Sequence, residues 1–235
     1  MKVILLAAGR GRRFGRRTRV LPKCLIPLSR RGETLLSRYL DSFRRLRLRD
    51  VVLVVGHQKE KVLRECARKA DGLPIRFVTN KDFKKGSIVS LCTASHELND
   101  DCLIMDADVF FQTAALKRLL QKKSSAFLID PRSNSAGEEM MVMAEGRRPL
   151  LISKQVTPGL RILGEATGFL KLRKPDAVLL GRILKKMVHD GKTDVEYEDA
   201  YNELMKDRAL DVVTIRGFWT EMDFEADLRK IRARL

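Results

Sequence analysis

Two glycines, an arginine and a lysine near the start of the chain have the types and spacing needed to hold a row of phosphate groups. Gly9 and Gly11 follow an apolar run that ends in small residues, so the backbone amides at its end are uncovered. Glycine lets the main chain approach a ligand closely, and Arg13 and Lys23 add positive charge for phosphate oxygens. The stretch predicts a polyphosphate site, and a nucleoside triphosphate is the ligand that it favours.

The spacing of this loop excludes two common phosphate-binding patterns. A mononucleotide P-loop has four residues between its glycines and then Gly-Lys-Ser or Gly-Lys-Thr, and a dinucleotide fingerprint has Gly-x-Gly-x-x-Gly at the start of a helix. Here Gly15 follows Gly11 after three residues rather than two, and Pro22 delays the next helix. The alternative to a ligand site is an ordinary basic loop between a strand and a helix.

Carboxylates in two distant segments could supply a metal site beside these phosphates. Asp106 and Asp108 follow an apolar run, and the alternation of a strand would direct both side chains to one side. Mg²⁺ takes one or two carboxylates together with phosphates and water, so a further carboxylate should converge from elsewhere, and Glu221 and Asp223 offer it. The structural alternatives are a turn for the first pair and, for Asp223, the N-cap of a helix starting at Phe224.

These residues lie at the ends of segments whose apolar periodicity alternates between strand and helix. The pattern predicts one α/β domain over residues 1–235, built on an open, doubly wound, mostly parallel mixed sheet with ligands at the carboxyl ends of its strands. The predicted strands of the first part are 3–8, 51–55, 75–78, 102–105 and 126–129, and the predicted helices are 34–48, 59–70 and 87–97.

The second part of the chain changes to shorter strands. They are predicted at 140–143, 150–153 and 167–172 and indicate a small β-rich subregion. By the resemblance described next, this subregion would close over an acceptor substrate. Helices are then predicted at 176–189 and 196–206, a strand at 210–215, and a last helix from residue 224.

The first stretch resembles the signature of the nucleotidyltransferases that activate sugar phosphates and phospho-alcohols, Leu-Ala-Ala-Gly-x-Gly-x-Arg followed by Thr and then Pro-Lys. Each element is present: Leu6, Ala7, Ala8, Gly9, Gly11, Arg13, Thr18, Pro22 and Lys23. The resemblance implies a Rossmann-like nucleotidyltransferase fold, with Leu6, Ala7 and Ala8 among the nucleotide contacts. It also implies that Gly9, Gly11 and Arg13 hold the β- and γ-phosphates. Lys23 would stabilise charge on the attacked α-phosphate.

Four further segments resemble the small cytidylyltransferases that act on phosphocholine and related phospho- or phosphono-alcohols. They are NKDFKKGSIVSL (80–91), DADVFF (106–111), GEATGFLKL (164–172) and WTEMDFEADL (219–228). By this resemblance the nucleotide contacts include Asn80, Gly86, Ser87, Ser90 and Asp106, while an N-cap is the alternative role for Ser87. Mg²⁺ is the implied cofactor, held by Asp108 with Glu221 or Asp223.

The implied reaction needs no nucleophile from the protein, because a phosphate or phosphonate oxygen of the acceptor attacks the α-phosphorus and pyrophosphate leaves. Arg13, Lys23 and Lys154 form the predicted catalytic set, and Lys154 would grip the acceptor's phosphate unless it is a plain surface lysine. Carboxylates and aromatic faces bind cationic amines. The predicted acceptor-binding residues are Glu165, Glu196, Tyr197 and Trp219, although residues 194–199 could instead be an acidic helix N-terminus.

Net charge is the bulk property that points elsewhere. The formal net charge of +17 is typical of proteins that bind nucleic acid or anionic membranes. Aromatic residues make up only 6% of the chain and do not interleave with the basic runs, so a nucleic-acid platform is not expected. The expected partners are CTP or another nucleoside triphosphate and a small phosphorylated or phosphonate alcohol, with no membrane.

The cysteines and the hydropathy bound the environment. The four cysteines are scattered singly, and no apolar run reaches the roughly eighteen residues of a membrane span, which predicts a cytoplasmic protein with reduced thiols. Three alternatives stay open for function and assembly: a sugar-1-phosphate or inositol-1-phosphate nucleotidyltransferase, a non-catalytic nucleotide- or nucleic-acid-binding protein, and a homodimer.

Overall fold

Strands and helices alternate along most of the chain in the computed structural model, which describes residues 1–133 and 137–235. The strands are β1 (Lys2–Ala7), β2 (Asp50–Val55), β3 (Ile75–Thr79), β4 (Cys102–Asp106), β5 (Val109–Phe110), β6 (Ala126–Asp130), β7 (Met141–Glu145), β8 (Arg148–Ser153), β9 (Arg161–Leu172), β10 (Asp211–Thr214) and β11 (Thr220–Glu221). The helices are α1 (Leu35–Arg45), α2 (Lys59–Lys69), α3 (Ser87–Thr93), α4 (Thr113–Gln121), α5 (Lys174–His189), α6 (Glu198–Asp207) and α7 (Glu225–Arg232).

One large mixed sheet organises the molecule, in the strand order β10-β6-β9-β4-β1-β2-β3. Strand β1 lies parallel between β2 and β4, β3 continues the parallel set beyond β2, and β10 is parallel to β6. Only β9 runs against its neighbours in this path, since it pairs antiparallel with both β4 and β6. The structure therefore confirms the predicted mostly parallel, mixed α/β sheet.

The strands β1, β2, β4 and β6 of this sheet are buried on both faces along almost their whole length, which explains their unbroken apolar runs. Alternate residues of β1 enter different cores: Val3 and Leu5 pack with the face covered by α1, and Ile4 packs with the face covered by α3, α5 and α6. Because helices cover both faces, ligands are left only the ends of the strands. The carboxyl edge, where Ala7 and Asp106 end β1 and β4, is where the predicted site residues lie.

The predicted β-rich subregion is present but is continuous with the main sheet. Strand β9 begins at Arg161 rather than near residue 167, and its first half extends beyond β4. Strand β7 pairs with that extension and β8 pairs with β7, so a hairpin projects from the carboxyl edge. This hairpin comprises residues 141–153, and the residues that flank it, Met140 and Lys154, line the cleft described below.

Some helices end earlier than their apolar periodicity suggests. Thr34 caps α1, since its hydroxyl oxygen accepts a hydrogen bond of 3.1 Å from the Ser37 backbone, and the helix ends at Arg45 because Arg47 takes a left-handed conformation. Helix α3 ends at Thr93, and a separate 3₁₀ turn covers Ser95–Glu97.

The four cysteines have free thiols, as expected. None of the described helices has the length and apolarity to cross a membrane.

Candidate active site

The phosphate loop (residues 9–13) leaves β1 in a shape that needs glycine. Gly11 has φ of +59°, and a Cβ added to it would lie 2.7 Å from Cγ of Lys23. The buried Thr18 then fixes the curve of the chain, because its hydroxyl donates to the carbonyl of Gly11 at 2.7 Å and lies 3.0 Å from that of Gly15. The threonine in the signature thus has a structural reason, since it holds Gly11 against Lys23.

Lys23 and three acidic residues meet directly beside this loop. The Nζ atom of Lys23 lies 2.5 Å from Oδ2 of Asp108 and 2.5 Å from Oδ1 of Asp223. Arg13 Nη2 lies 2.7 Å from Oδ2 of Asp223 and 4.0 Å from Oε1 of Glu221. Residues predicted from opposite ends of the chain therefore come together in one charged group.

A short strand pairing delivers the C-terminal acids to Asp108. Strand β11 pairs antiparallel with β5, with Glu221 opposite Val109, and the Met222 backbone donates to the carbonyl of Asp108 at 2.9 Å. Because β5 begins one residue after Asp108, this pairing sets the position of Glu221 and Asp223 against it. No local pattern at residues 219–223 announces that partner.

The carboxylate cluster (Asp108, Glu221 and Asp223) has the donor set that a hard divalent cation prefers. One oxygen from each side chain lies within 4.8 Å of the others. Burial, followed by Asp108 and Asp223, raises the pKa of Glu221 to about 8, which shows the mutual repulsion of the three acids. Oxygen-only donors of this kind fit Mg²⁺, so the residues present suit the metal that the resemblance implied.

The electrostatics of Lys23 follow from the same crowding. Burial alone would lower the pKa of Lys23, but the carboxylates of Asp108, Asp223 and Glu221 outweigh it and hold that pKa well above its usual value. The ammonium group therefore stays charged across the physiological range. It is only 13% exposed, so solvent and salt screen its charge little.

The helix-cap alternative for Asp223 is taken by another residue. The carboxylate of Asp227 accepts hydrogen bonds from the backbone of Asp223 at 3.2 Å and of Phe224 at 2.9 Å, which places it at the start of α7. The side chain of Asp223 turns instead to Lys23 and Arg13. Asp223 is thus free of the capping role that a sequence pattern could assign to it.

The predicted nucleotide-contacting segment is tied into a second loop (residues 193–197). Asn80 is buried and donates from Nδ2 to Oγ of Ser90 at 2.9 Å. Gly86 is needed for close approach, since an added Cβ would lie 2.2 Å from the carbonyl oxygen of Val195. Ser87 Oγ donates to Glu196 at 2.5 Å and accepts from the Tyr197 backbone at 2.9 Å, so it joins the two loops rather than capping α3.

Asp106 ends β4 in a buried polar contact. The hydroxyl of Tyr197 donates to its Oδ2, and the hydroxyl of Tyr39 donates to its backbone carbonyl. A Cβ on Gly168, which has φ of +75°, would lie 2.5 Å from the same Oδ2. Burial, then the charge of Asp108, raises the pKa of Asp106 well above its usual value. Strand alternation does not extend to Asp108, which lies in the turn after β4, and Asp106 stays outside the carboxylate cluster.

One open cleft of about 940 Å³ contains the phosphate loop, the carboxylate cluster and the predicted acceptor residues. Lys154 lines it from the end of β8, with Nζ 3.8 Å from Oε2 of Glu138, and Arg13 Nη1 lies 3.4 Å from that same oxygen. Burial raises the pKa of Glu165 on the neighbouring β9. The cleft thus brings together the predicted phosphate-binding cations and these predicted acceptor-binding residues: Glu165, Glu196, Tyr197 and Trp219.

Glu198, which belongs to the acidic run 194–199, also borders the cleft, and burial followed by the charge of Glu196 raises its pKa to about 8. Asp130 and Arg132 line the cleft at the end of β6 and are among the lining residues that the sequence analysis missed. The expectation that ligands meet the carboxyl ends of parallel strands could have identified Asp130, since it follows a predicted strand in the same way as Asp106 does.

Comparison with known proteins gives one family and several relatives. Residues 3–177 match the model of the MobA-like NTP transferase domain. A bifunctional sugar-1-phosphate nucleotidylyltransferase/acetyltransferase of Sulfurisphaera tokodaii is 24% identical over 224 residues, which are 94% of this chain and 52% of that protein. A CMP-5'-(3-aminopropyl)phosphonate synthase of Streptomyces rubellomurinus is 32% identical over 120 residues, 51% of this chain and 19% of that protein.

The solved structures agree on the fold. A CTP:phosphocholine cytidylyltransferase from Streptococcus pneumoniae superposes with a TM-score of 0.74 at 20% identity, over 99% of this chain and 98% of that one. At such low identity the likeness shows the fold alone. The chain spans about half, or less, of the length of the two curated relatives described above.

Proposed function

Because the chain belongs to the MobA-like NTP transferase domain family, we propose that it transfers a nucleotidyl group, and specifically CMP from CTP, to a small phosphorylated or phosphonate alcohol. The acceptor's phosphate or phosphonate oxygen forms a bond to the α-phosphorus, and the bond from that phosphorus to pyrophosphate breaks. The family match supports the reaction class. The choice of CTP and of the acceptor class is our own step.

The observation that carries the proposal is the position of Lys23 between the phosphate loop and the carboxylate cluster. Its Nζ lies 2.5 Å from both Asp108 and Asp223, while its side-chain carbons pack against Gly11. A nucleotide whose β- and γ-phosphates lie on the amides of residues 9–11 would place its α-phosphate near this ammonium group. Lys23 would then neutralise the charge that develops on the α-phosphate as the new bond forms.

The other residues hold the reactants. Arg13 would bind the terminal phosphates of CTP, and Lys154 would bind the acceptor's phosphate from the opposite side of the cleft. The carboxylate cluster would hold Mg²⁺, which when bound supplies charge neutralisation and orients the phosphates. With no nucleophile needed from the protein, catalysis depends on positioning the two substrates and on this neutralisation.

Two observations favour an acceptor with a cationic group. In a protein of +17 charge, Glu165 and Glu198 line the cleft, and burial raises the pKa of each, so a cation placed beside them would be stabilised. Glu196, Tyr197 and Trp219 lie in the same cleft and add a carboxylate and two aromatic rings. The name of the Streptomyces rubellomurinus relative includes an aminopropylphosphonate, which combines a cationic amine with an anionic phosphonate.

A sugar-1-phosphate acceptor is the second candidate, since the Sulfurisphaera tokodaii relative aligns with 94% of this chain. A matrix of CTP, UTP, dTTP, ATP and GTP against phosphocholine, phosphoethanolamine, 2-aminoethylphosphonate, inositol-1-phosphate and glucose-1-phosphate separates the two. Pyrophosphate release is the measurement. We expect turnover with CTP and an amino-alcohol phosphate or phosphonate.

Turnover only with UTP or dTTP and a sugar-1-phosphate would replace the proposal by the second candidate. An absence of pyrophosphate in every cell, together with tight and steeply salt-dependent binding of RNA or DNA, would refute transfer and favour a nucleic-acid-binding role. Asp108→Ala in the active cell of the matrix is the control that assigns the release to this site.

A further inference from the structure

The end of β6 carries a hydrogen-bonded group that the transfer reaction does not use directly. The carboxylate of Asp130 is 10% exposed, and its Oδ2 accepts from Nε1 of Trp219 at 2.7 Å. Its Oδ1 accepts from the backbone and Nε of Arg132 at 2.9 and 2.8 Å, and Arg132 Nη2 lies 2.9 Å from Oδ2. All the carboxylate oxygens therefore have donors, and one donor is the indole of the chain's only tryptophan.

The backbone beneath Asp130 allows little movement. Asp130 is the last residue of a strand buried throughout, and it pairs with Glu165 of β9. Gly164, which precedes Glu165 on β9, packs against the carbonyl of Asp130, where an added Cβ would lie 2.5 Å from that oxygen. A carboxylate on such a base gives a fixed acceptor, and a hydrogen bond to a charged partner is stronger than a neutral one.

The indole that this carboxylate holds lies in the wall of the cleft. Trp219 precedes β11, which carries Glu221 to the carboxylate cluster, and it lines the cleft together with Asp130 and Glu165. A cationic group binds over the face of an aromatic ring, so the orientation of the ring decides what it can receive. The indole N–H is the one polar group through which the protein can set that orientation.

We propose that Asp130 is a positioning residue that fixes the Trp219 indole as one wall of the acceptor part of the cleft. The statement about the acceptor rests on the proposed function. The contact itself does not, and the two can be tested apart. Asp130 acts through Trp219, and Arg132 serves to keep Asp130 ionised and to tie the segment at Gly217, whose carbonyl accepts from Arg132 Nη2 at 3.0 Å.

The first test is fluorescence of the single tryptophan. Asp130→Ala should shift the emission of Trp219 to longer wavelength and raise its quenching by acrylamide, because the indole loses its partner and gains freedom. Asp130→Asn keeps an amide oxygen that accepts the N–H and should restore most of the wild-type spectrum. Arg132→Gln, the comparison variant, removes the tie to Gly217 and one partner of Asp130 but leaves the carboxylate that accepts from the indole, so it should shift the emission less than Asp130→Ala does.

The second test uses steady-state kinetics with the acceptor found in the substrate matrix. Asp130→Ala should raise the acceptor KM about tenfold, while the KM for the nucleotide changes less than about twofold. Trp219→Phe should raise the acceptor KM similarly, and adding Asp130→Ala to it should cost little more, since both changes remove one contact.

Four results would overturn the proposal: an unchanged spectrum in Asp130→Ala, a spectral change of equal size in Arg132→Gln, full additivity of Asp130→Ala and Trp219→Phe, or an equal rise of both KM values. The last two would make Asp130 a general structural tie. If wild type turns over no acceptor, the proposed function fails. The fluorescence comparison then still decides whether Asp130 fixes the indole.

Discussion

The two edges of the central sheet use the same kinds of charged side chain in opposite ways. At the amino edge, Lys2 Nζ lies 2.7 Å from Oε2 of Glu97, and Arg76 Nη1 lies 2.5 Å from its Oε1. Burial alone would raise the pKa of Glu97, but the bonds from Lys2 and then from Arg76 outweigh it and hold that pKa below its usual value. Lys2, Glu97 and Arg76 therefore have their counter-charges within the protein.

At the carboxyl edge acids crowd together instead. Burial and neighbouring acids raise the pKa of Asp106, Glu198 and Glu221, and within the described residues Arg13 and Lys23 are the cations within 4.0 Å of the carboxylate cluster. The amino edge stabilises the fold, and under the proposed function the carboxyl edge leaves charge for substrates and a metal to satisfy. This contrast separates a structural ion pair from a candidate catalytic one better than distance does, because both edges have contacts near 2.5 Å.

The largest effect should come from removing the lysine at each edge of the sheet in separate variants. Lys23→Ala should lower kcat/KM for pyrophosphate release about 10³-fold, as the loss of a group that stabilises transition-state charge does, and should leave a cooperative urea transition. Lys2→Ala is the matched variant at the other edge and should keep its activity per folded molecule while losing stability. Equal losses of activity in both would mean that the edges do not differ as proposed.

The next effect compares two aspartates at opposite ends of β4. Asp108→Asn should reduce turnover about 10²-fold and weaken binding of Mn²⁺, followed by electron paramagnetic resonance, because the carboxylate cluster loses one charged ligand. Asp100→Asn changes an exposed aspartate before the same strand and should alter neither quantity by more than about twofold. Unchanged Mn²⁺ binding in Asp108→Asn would remove this residue from the metal site.

A smaller effect concerns stability and its pH dependence. Glu97→Gln should lower the free energy of unfolding at pH 7 by about 3 kcal/mol, since it leaves the buried Lys2 ammonium without its counter-charge. The folded pKa of Glu97 lies below its usual value of 4.5, so its contribution is complete above that pH and is lost as pH falls through the folded pKa. Urea titrations from pH 7 to pH 3 should show the two proteins converging.

The smallest effect has the opposite sign and belongs to the cleft. Burial and Glu196 raise the pKa of Glu198 from 4.5 to about 8, so its ionisation costs stability progressively as pH rises between those values. Glu198→Gln should therefore be more stable than wild type at pH 9, by an amount on the order of 1 kcal/mol, and nearly equal to it at pH 5. A variant destabilised at pH 9 in urea would show that Glu198 has a counter-charge in the fold.

Sequence patterns predicted those parts of the site whose residues lie close together along the chain. The phosphate loop and Lys23 lie within one strand-loop segment, so their spacing encodes their proximity. Asp106 and Asp108 come at the end of an unmistakable apolar run, so the carboxyl-edge rule predicts the edge at which they lie, but the expected strand alternation does not extend to Asp108. The family resemblance seen in these residues is confirmed by the match over residues 3–177.

The rest depends on contacts between distant segments. Tertiary packing produces three of these contacts: the pairing of β11 with β5, the approach of Val195 to Gly86, and the hydrogen bond from Trp219 to Asp130. Ser87 shows the difficulty well, since a serine at the first turn of a helix reads as a cap, yet here Gly86 occupies the cap position and Ser87 joins two loops. Propensity describes a residue's own neighbourhood, and these roles lie outside it.

The pairing of Lys23 with Asp223 also bears on when the candidate active site forms during folding. The two residues are 200 positions apart, so the pair closes a loop that includes most of the chain. Contacts of such long range form late in folding, because the entropy of closing the loop must be offset by structure already present. On refolding, we expect secondary structure to return first and Mn²⁺ binding last. The time course of Mn²⁺ binding would then report when the fold is complete.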